Sequence, residues 1–193
     1  MEPKRLRPTI ASAQAGSSEA YQALLEWYGP RLFSYFIRST GSYHDAEDLL
    51  SELMFRLVRR LKSYDDRGRF EPWLFSIAAN MVRDRIRRRK ASPSPVSLSI
   101  EDEFGGTLAE TIAGDVPPAG THLMEQEASA DLQKALDRLD EATKQTILLR
   151  HFGQMSFREI SELLDCPIGT VLTRVHRGLR TLRKYMGVDR ANE

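Results

Sequence analysis

The middle of the chain restricts the fold most. Residues 92–130, SPSPVSLSIEDEFGGTLAETIAGDVPPAGTHLMEQEASA, carry seven acids and no lysine or arginine. Ser, Pro and Gly concentrate there, and no apolar repeat of 3.6 residues runs through it, which is the composition of a linker rather than of a packed element. A chain of 193 residues interrupted in this way is expected to fold as two small domains, 18–91 and 125–187. Residues 1–17 are read as an N-terminal tail, 92–124 as the linker and 188–193 as a C-terminal tail. As a flexible coil, roughly 39 residues span about 35 Å, enough to set two domains at separate places on one large partner.

The formal net charge of +1 conceals this division. Residues 1–91 hold 17 Lys/Arg against 11 Asp/Glu, and residues 131–193 hold 11 against 9. Two basic segments therefore flank an acidic one. A hydrophobic content of 41% is enough for real cores. No apolar run approaches membrane-spanning length, and no apolar stretch follows the basic N-terminus, so neither a membrane span nor a signal peptide is expected, and the cytoplasm is the default compartment. The single cysteine, Cys166, excludes an internal disulfide and a cysteine cluster. His44, His122, His151 and His176 are scattered without metal-ligand spacing, and neither a GxxxxGK[ST] loop nor a GxSxG elbow occurs. No catalytic residue, metal site or cofactor is expected, and the chain is read as a non-enzyme.

Both basic segments show helical periodicity and no alternating strand pattern, so the fold class is all-α. In residues 45–62, Ala46, Leu49, Leu50, Leu53, Met54, Leu57, Val58 and Leu61 form one apolar stripe. Asp45, Glu47 and Asp48 open this helix while Arg56, Arg59, Arg60 and Lys62 close it, which suits the macrodipole at both ends. Residues 18–28 and 31–38 are expected as two helices divided at Gly29-Pro30. Pro72 fits the first turn of a further helix, 72–90, with Leu74, Ile77, Ala78, Met81, Val82 and Ile86 buried.

The second domain is expected to hold helices at about 125–138, 142–152, 157–164 and 168–186. Ser156 with Glu159 is a capping box for the third, and Pro167 marks the start of the fourth. Helix 157–164 would bury Ile160, Leu163 and Leu164, and helix 168–186 would bury Ile168, Val171, Leu172, Val175, Leu179 and Leu182. Only Asp165-Cys166-Pro167 separates them, the spacing of a helix-turn-helix whose second helix enters a major groove. Away from the core lie Thr170, Thr173, Arg174, His176 and Arg177, then Arg180, Arg183 and Lys184. Gly169 leaves the helix start free of bulk where a phosphate could meet backbone N–H groups. Such a basic face is either plainly solvated or set against a polyanion. No acid occurs between Asp165 and Asp189, so these cations lack the i,i+4 partners of an ordinary surface helix, which favours the polyanion.

Helix 72–90 carries a second candidate face with Trp73, Ser76, Asn80, Arg83, Asp84 and Arg87 opposite its core. An aromatic ring, an amide and arginines suit unpaired bases, with the run Arg87-Arg88-Arg89-Lys90 for phosphates. Its bland counterpart is a core Trp73 and a solvated helix end. The acids Asp45, Glu47, Asp48 and Glu52 likewise either complement a helix N-terminus or meet arginines on a protein partner.

In this order the motifs resemble one family, the bacterial sigma-70 sigma factors, specifically the extracytoplasmic-function (ECF) type, over about residues 20–91 and 125–186. DAEDLLSELMFRLVRRL resembles the family's core-polymerase-binding helix and FEPWLFSIAANMVRDRIRRR its promoter-melting, minus-ten-reading helix. SFREISELLDCPIGTVLTRVHRGLRTLR resembles its minus-thirty-five-reading helix-turn-helix. The resemblance implies that Asp45, Glu47, Asp48, Leu49 and Glu52 dock on the clamp of the largest subunit of core RNA polymerase. It implies minus-ten contacts from Trp73, Asn80, Arg83, Asp84, Arg87 and Arg88, with the loop Tyr64 to Phe70 holding a flipped, unpaired base. Gly169, Thr170, Thr173, Arg174 and Arg177 would contact the minus-thirty-five duplex, and the linker would lie near the path of nascent RNA. Promoter DNA, duplex and melted, and an anti-sigma factor are implied partners. Pro167, where the family often has a hydroxyl cap, and Gly178, inside the last helix where alanine is usual, depart from the pattern. A stand-alone helix-turn-helix regulator of duplex DNA remains the competing reading, but it leaves residues 45–90 without a role.

Overall fold

The computed structural model of the protein describes residues 3–91 and 129–187, all of whose regular structure is helical. The expected linker, the start of the helix expected at 125 and the C-terminal tail lie outside the described residues. Residues 3–14, read from sequence as part of a tail, form helix α1 (Pro3–Gln14), with Ile10 and Ala13 buried. The first domain continues with α2 (Ser18–Thr40), α3 (Tyr43–Leu61) and α4 (Phe70–Ala91). The second holds α5, helical over 129–137, then α6 (Glu141–Phe152), α7 (Phe157–Leu164) and α8 (Ile168–Tyr185).

Helix α2 corrects the expected break at Gly29-Pro30, for it runs unbroken through Pro30. An interior proline costs about 3 kcal/mol. Leu24, Tyr28, Leu32, Tyr35 and Phe36 all lie at 0–1% exposure on one side of the helix. At about 1.5–3 kcal/mol for each buried side chain their sum outweighs the proline. Pro30 and Glu26, whose carbonyl loses its N–H donor, are both exposed residues. Ser17 and Ser42 cap α2 and α3 by accepting from the backbone N–H of Ala20 and Asp45, and Gly41 (φ 71°) ends α2 in the left-handed region.

In the second domain Asp140 caps α6, and Ser156 with Glu159 forms the expected capping box of α7. Asp165 turns the chain in the left-handed region (φ 48°), and Pro167 is the N-cap of α8 rather than a residue of its first turn. Val171 and Leu182 of α8 are buried as expected, but Ile168, Leu172 and Leu179 are 41–49% exposed. Helix α7 is only eight residues long and α6 meets α8 through Gly178, so these two neighbours cover a narrower stripe than the sequence periodicity allots. A Cβ at position 178 would lie 2.5 Å from Ile147 Cδ1 and 2.7 Å from Thr143 Cγ2. The departure at Gly178 is therefore a close helix contact, where any side chain would have to displace the Ile147 and Thr143 methyl groups.

The two domains touch directly. Tyr35 Oη donates to Gln145 Oε1 at 2.6 Å in a fully buried pair, and Arg31 Nη2 donates to the Phe152 carbonyl at 2.5 Å. Arg38 donates to the carbonyl and hydroxyl of Ser129, both at 2.7 Å. Arg83 reaches the Leu163 carbonyl at 3.1 Å, and Arg69 pairs with Glu159.

Candidate nucleic-acid interface

Three surfaces follow from this frame. On α8 the expected set converges, as Gly169, Thr170, Thr173, Arg174 and Arg177 all line one cleft of about 520 Å³. The short turn aims α8, and Thr143 and Ile147 of α6 fix its rotation through Gly178. Arg138, which sequence reading did not single out, enters the same cleft from the end of α5, beside Asp140. Three guanidiniums thus face one carboxylate, an arrangement that attracts an anionic backbone. Thr143, through its side chain and through the backbone N–H that donates to Asp140 Oδ1 at 2.9 Å, holds Asp140 below the ordinary carboxylate value of 3.8, so that carboxylate is committed to capping α6. Arg174 Nη1 lies 3.4 Å from Cys166 Sγ, while Thr173 Oγ1 donates to the Gly169 carbonyl at 2.8 Å.

The α4 face is less uniform than its sequence suggests. Asn80, Arg83, Arg87 and Arg88 are exposed on one side. Trp73 is half-buried, its ring 4.4 Å from Tyr64 and 5.6 Å from Phe70, so it serves as core wall and edge of the face together. Ser76 turns inward, its Oγ donating to the Trp73 carbonyl at 2.7 Å. Asp84 accepts from Arg87 at 3.0 Å and offsets part of that charge. The adjoining loop, residues 62–69, is ordered by Asp66, whose Oδ1 accepts from the Gly68 N–H at 2.9 Å and from the Tyr64 hydroxyl at 3.3 Å. Desolvation and the nearby Asp66 carboxylate push the Tyr64 phenol up to about 12.

On α3 the acids split. Arg85 of α4 pairs with Asp45 and lies 3.5 Å from Asp48, and Glu52 pairs with Arg56. Glu47, on the other flank of the helix, has no ion pair among the described residues. Leu49, expected to touch a partner, is 2% exposed and belongs to the core stripe. Phe55, 59% exposed beneath the Arg59 guanidinium, extends this surface and was not singled out from sequence. An exposed aromatic three residues after Glu52 is the signal that could have found it. No cluster of His, Cys, Asp and Glu able to hold a metal ion, and no helix long and apolar enough to cross a membrane, occurs among the described residues.

Comparison with known proteins fits this layout. Residues 24–92 match the family profile described as Sigma-70 region 2, and residues 129–182 that described as Sigma-70, region 4. The chain is 29% identical over 185 residues to the ECF RNA polymerase sigma factor SigW of Bacillus subtilis, covering 94% of this chain and 96% of the relative. It is 30% identical to the ECF RNA polymerase sigma factor SigE of Mycolicibacterium smegmatis, over 91% of this chain and 65% of that protein. Among solved structures, the fold resembles the sigma factor RpoE in complex with the anti-sigma factor NepR from Bartonella quintana, with a TM-score of 0.62, 22% identity and coverage of 88% and 98%. It also resembles CnrH in complex with the cytosolic domain of CnrY, with a TM-score of 0.62, 23% identity and coverage of 95% and 97%. With a region 2 domain bearing acidic α3 and basic α4, and a region 4 domain bearing the α8 cleft, the chain belongs to the ECF group of the sigma-70 family of RNA polymerase sigma factors.

Proposed function

We propose that the three surfaces divide the work of promoter-specific initiation. Asp45, Glu47, Asp48 and Glu52 on α3 hold the clamp of the largest subunit of core RNA polymerase, with Phe55 as an apolar anchor at the edge. Arg85 orients Asp45 and Asp48 for that contact. Asn80, Arg83, Asp84, Arg87 and Arg88 on α4, with Trp73 at their edge, hold the melted minus-ten strand, and loop 62–69 receives its flipped base. Gly169, Thr170, Thr173, Arg174 and Arg177 read the minus-thirty-five duplex, arginines bidentate on guanine edges or on phosphates. Domains 18–91 and 125–187 carry the two halves of this task.

The chain acts in the cytoplasm, supplies no active-site chemistry of its own, and is restrained by an anti-sigma protein. The solved relatives bound to NepR and to the cytosolic domain of CnrY support that last point. The convergence of all five minus-thirty-five residues on one cleft is the observation that carries the reading.

The test is reconstituted transcription, with purified chain and bacterial core polymerase on a genomic promoter library and sequencing of transcript starts. Specific starts that require the chain support the reading. Retardation of duplex DNA by the chain alone, without core binding or initiation, would make it a stand-alone regulator.

A further inference from the structure

Helix α1 has no part in the three surfaces, yet its polar side chains converge on one loop. Gln14 Nε2 donates to the Leu61 carbonyl at 3.0 Å and to the Tyr64 carbonyl at 2.7 Å. The first is a carbonyl at the end of α3 that also accepts from the Tyr64 N–H at 3.0 Å, and the second lies in loop 62–69. The Gln14 amide thus bridges the end of α3 and the loop, beside the backbone bonds from Ser63 and Tyr64 to the Arg60 and Leu61 carbonyls. Arg7 Nε lies 3.5 Å from Asp66 Oδ2, on the carboxylate whose other oxygen orders Gly68 and Tyr64. Gly68 sits at φ 73°, and a Cβ there would lie 3.5 Å from the Arg7 guanidinium. Ile10 and Ala13, at 1% and 0% exposure, anchor α1 so that these groups have a fixed origin.

The Tyr64 carbonyl is held from α1, and the Tyr64 ring is held against Trp73 and Phe70 at 4.4 and 5.6 Å. Residue 64 is therefore clamped from both sides at the point where the loop joins the α4 face. We infer that α1, acting through Gln14, is a positioning element for base capture, keeping loop 62–69 in the shape that receives the flipped base. This rests on the function proposed above. Flipping already costs unstacking energy, so a loop that also had to be ordered on contact would capture the base more weakly.

The test uses full-length chain with core polymerase on forked promoter DNA carrying 2-aminopurine at the flipped minus-ten position. Gln14→Met keeps the length of the side chain and removes both donors. Its expected effect is about a tenfold loss of fork affinity with a slower fluorescence rise, the scale of two modest hydrogen bonds. Binding of minus-thirty-five duplex and of core polymerase should not change. Gln14→Lys returns an N–H donor to the same place and should recover most of the fluorescence rise. A Gln14→Met holoenzyme that matches wild type overturns the inference and leaves the sigma reading intact. A uniform loss of fork, duplex and core binding that Gln14→Lys does not relieve also overturns it, since Gln14 would then be a general fold residue. Wild-type holoenzyme that gives no fluorescence rise on a promoter mapped by its own transcript starts would sink the underlying base-capture reading itself.

Discussion

Replacing Tyr35 with phenylalanine removes one oxygen atom from the contact between α2 and α6. Tyr35 is 0% exposed and Gln145 2%, so no water can replace the hydroxyl that donates to Gln145 Oε1. Gln145 Nε2 keeps its bond to Glu141 at 3.1 Å, which pins the amide and prevents Oε1 from turning to another donor. A buried acceptor stripped of its partner costs about 1–3 kcal/mol, and Tyr35→Phe should destabilise the folded chain by that amount. Gln145→Leu should cost a similar amount by stranding the Tyr35 hydroxyl. The double variant, with neither polar group, should recover at least about 1 kcal/mol of the summed loss. Urea unfolding followed by circular dichroism on the four proteins of this cycle gives the coupling. Strictly additive losses, or a neutral Tyr35→Phe, would show that the pair is not closed in solution and refute the reasoning.

Four further expectations use other parts of the molecule. Burial raises the Tyr35 phenol above its ordinary value of 10.0, so its stabilising contribution is complete below pH 10. Above that pH each strongly raised tyrosine, Tyr28 and Tyr64 as well as Tyr35, lowers stability by up to about 1.4 kcal/mol per pH unit, because the unfolded chain loses a proton that the native state keeps, and Tyr35→Phe should make the alkaline fall shallower by one tyrosine's share. Gly178→Ala should lower stability by about 1–3 kcal/mol despite a helix-propensity gain near 1 kcal/mol, because its methyl group would meet Ile147 and Thr143, and a rise in melting temperature would contradict the close contact. Arg174→Ala should weaken minus-thirty-five duplex binding by about 1–3 kcal/mol while core affinity stays unchanged, measured by anisotropy in parallel titrations. Glu47→Lys should impair core binding first, and equal loss of duplex binding in that variant would point to misfolding instead.

The all-α class, the capping box and the face of α8 could be read from the sequence because each depends on spacing within one segment. Ser156 and Glu159 are three residues apart, and the α8 contacts recur every three or four. What escaped depends on partners distant in the chain. Leu49 was legible as part of the apolar stripe, and it is the partner contact implied by the resemblance that its burial excludes, while the exposure of Ile168, Leu172 and Leu179 follows from neighbours too few and too short to cover them. Pro30 was read as a break because a local penalty is visible in sequence, whereas the burial that outweighs it is not. Helix α1 escaped because a basic, Pro-containing stretch shows weak periodicity, while its role lies in bonds to carbonyls 47 and 50 residues away. Arg138 and Phe55 stand on surfaces whose other members were named, but a lone arginine or phenylalanine carries no spacing of its own.

The contact between the domains has one more consequence, for the ion dependence of promoter binding. Arg83 gives one of its N–H groups to the Leu163 carbonyl, whereas Arg69 is paired with Glu159, so the Arg69 charge is already offset by a carboxylate before a phosphate arrives. Each phosphate neutralised by a free cation releases counterions and steepens the fall of affinity with salt. A cation first drawn from an internal carboxylate leaves that carboxylate to gather counterions again, so Arg69 adds little to the net release. The salt slope of the intact chain should therefore undercount its phosphate contacts, and a chain with Glu159→Gln should bind with the steeper slope of a cation already free.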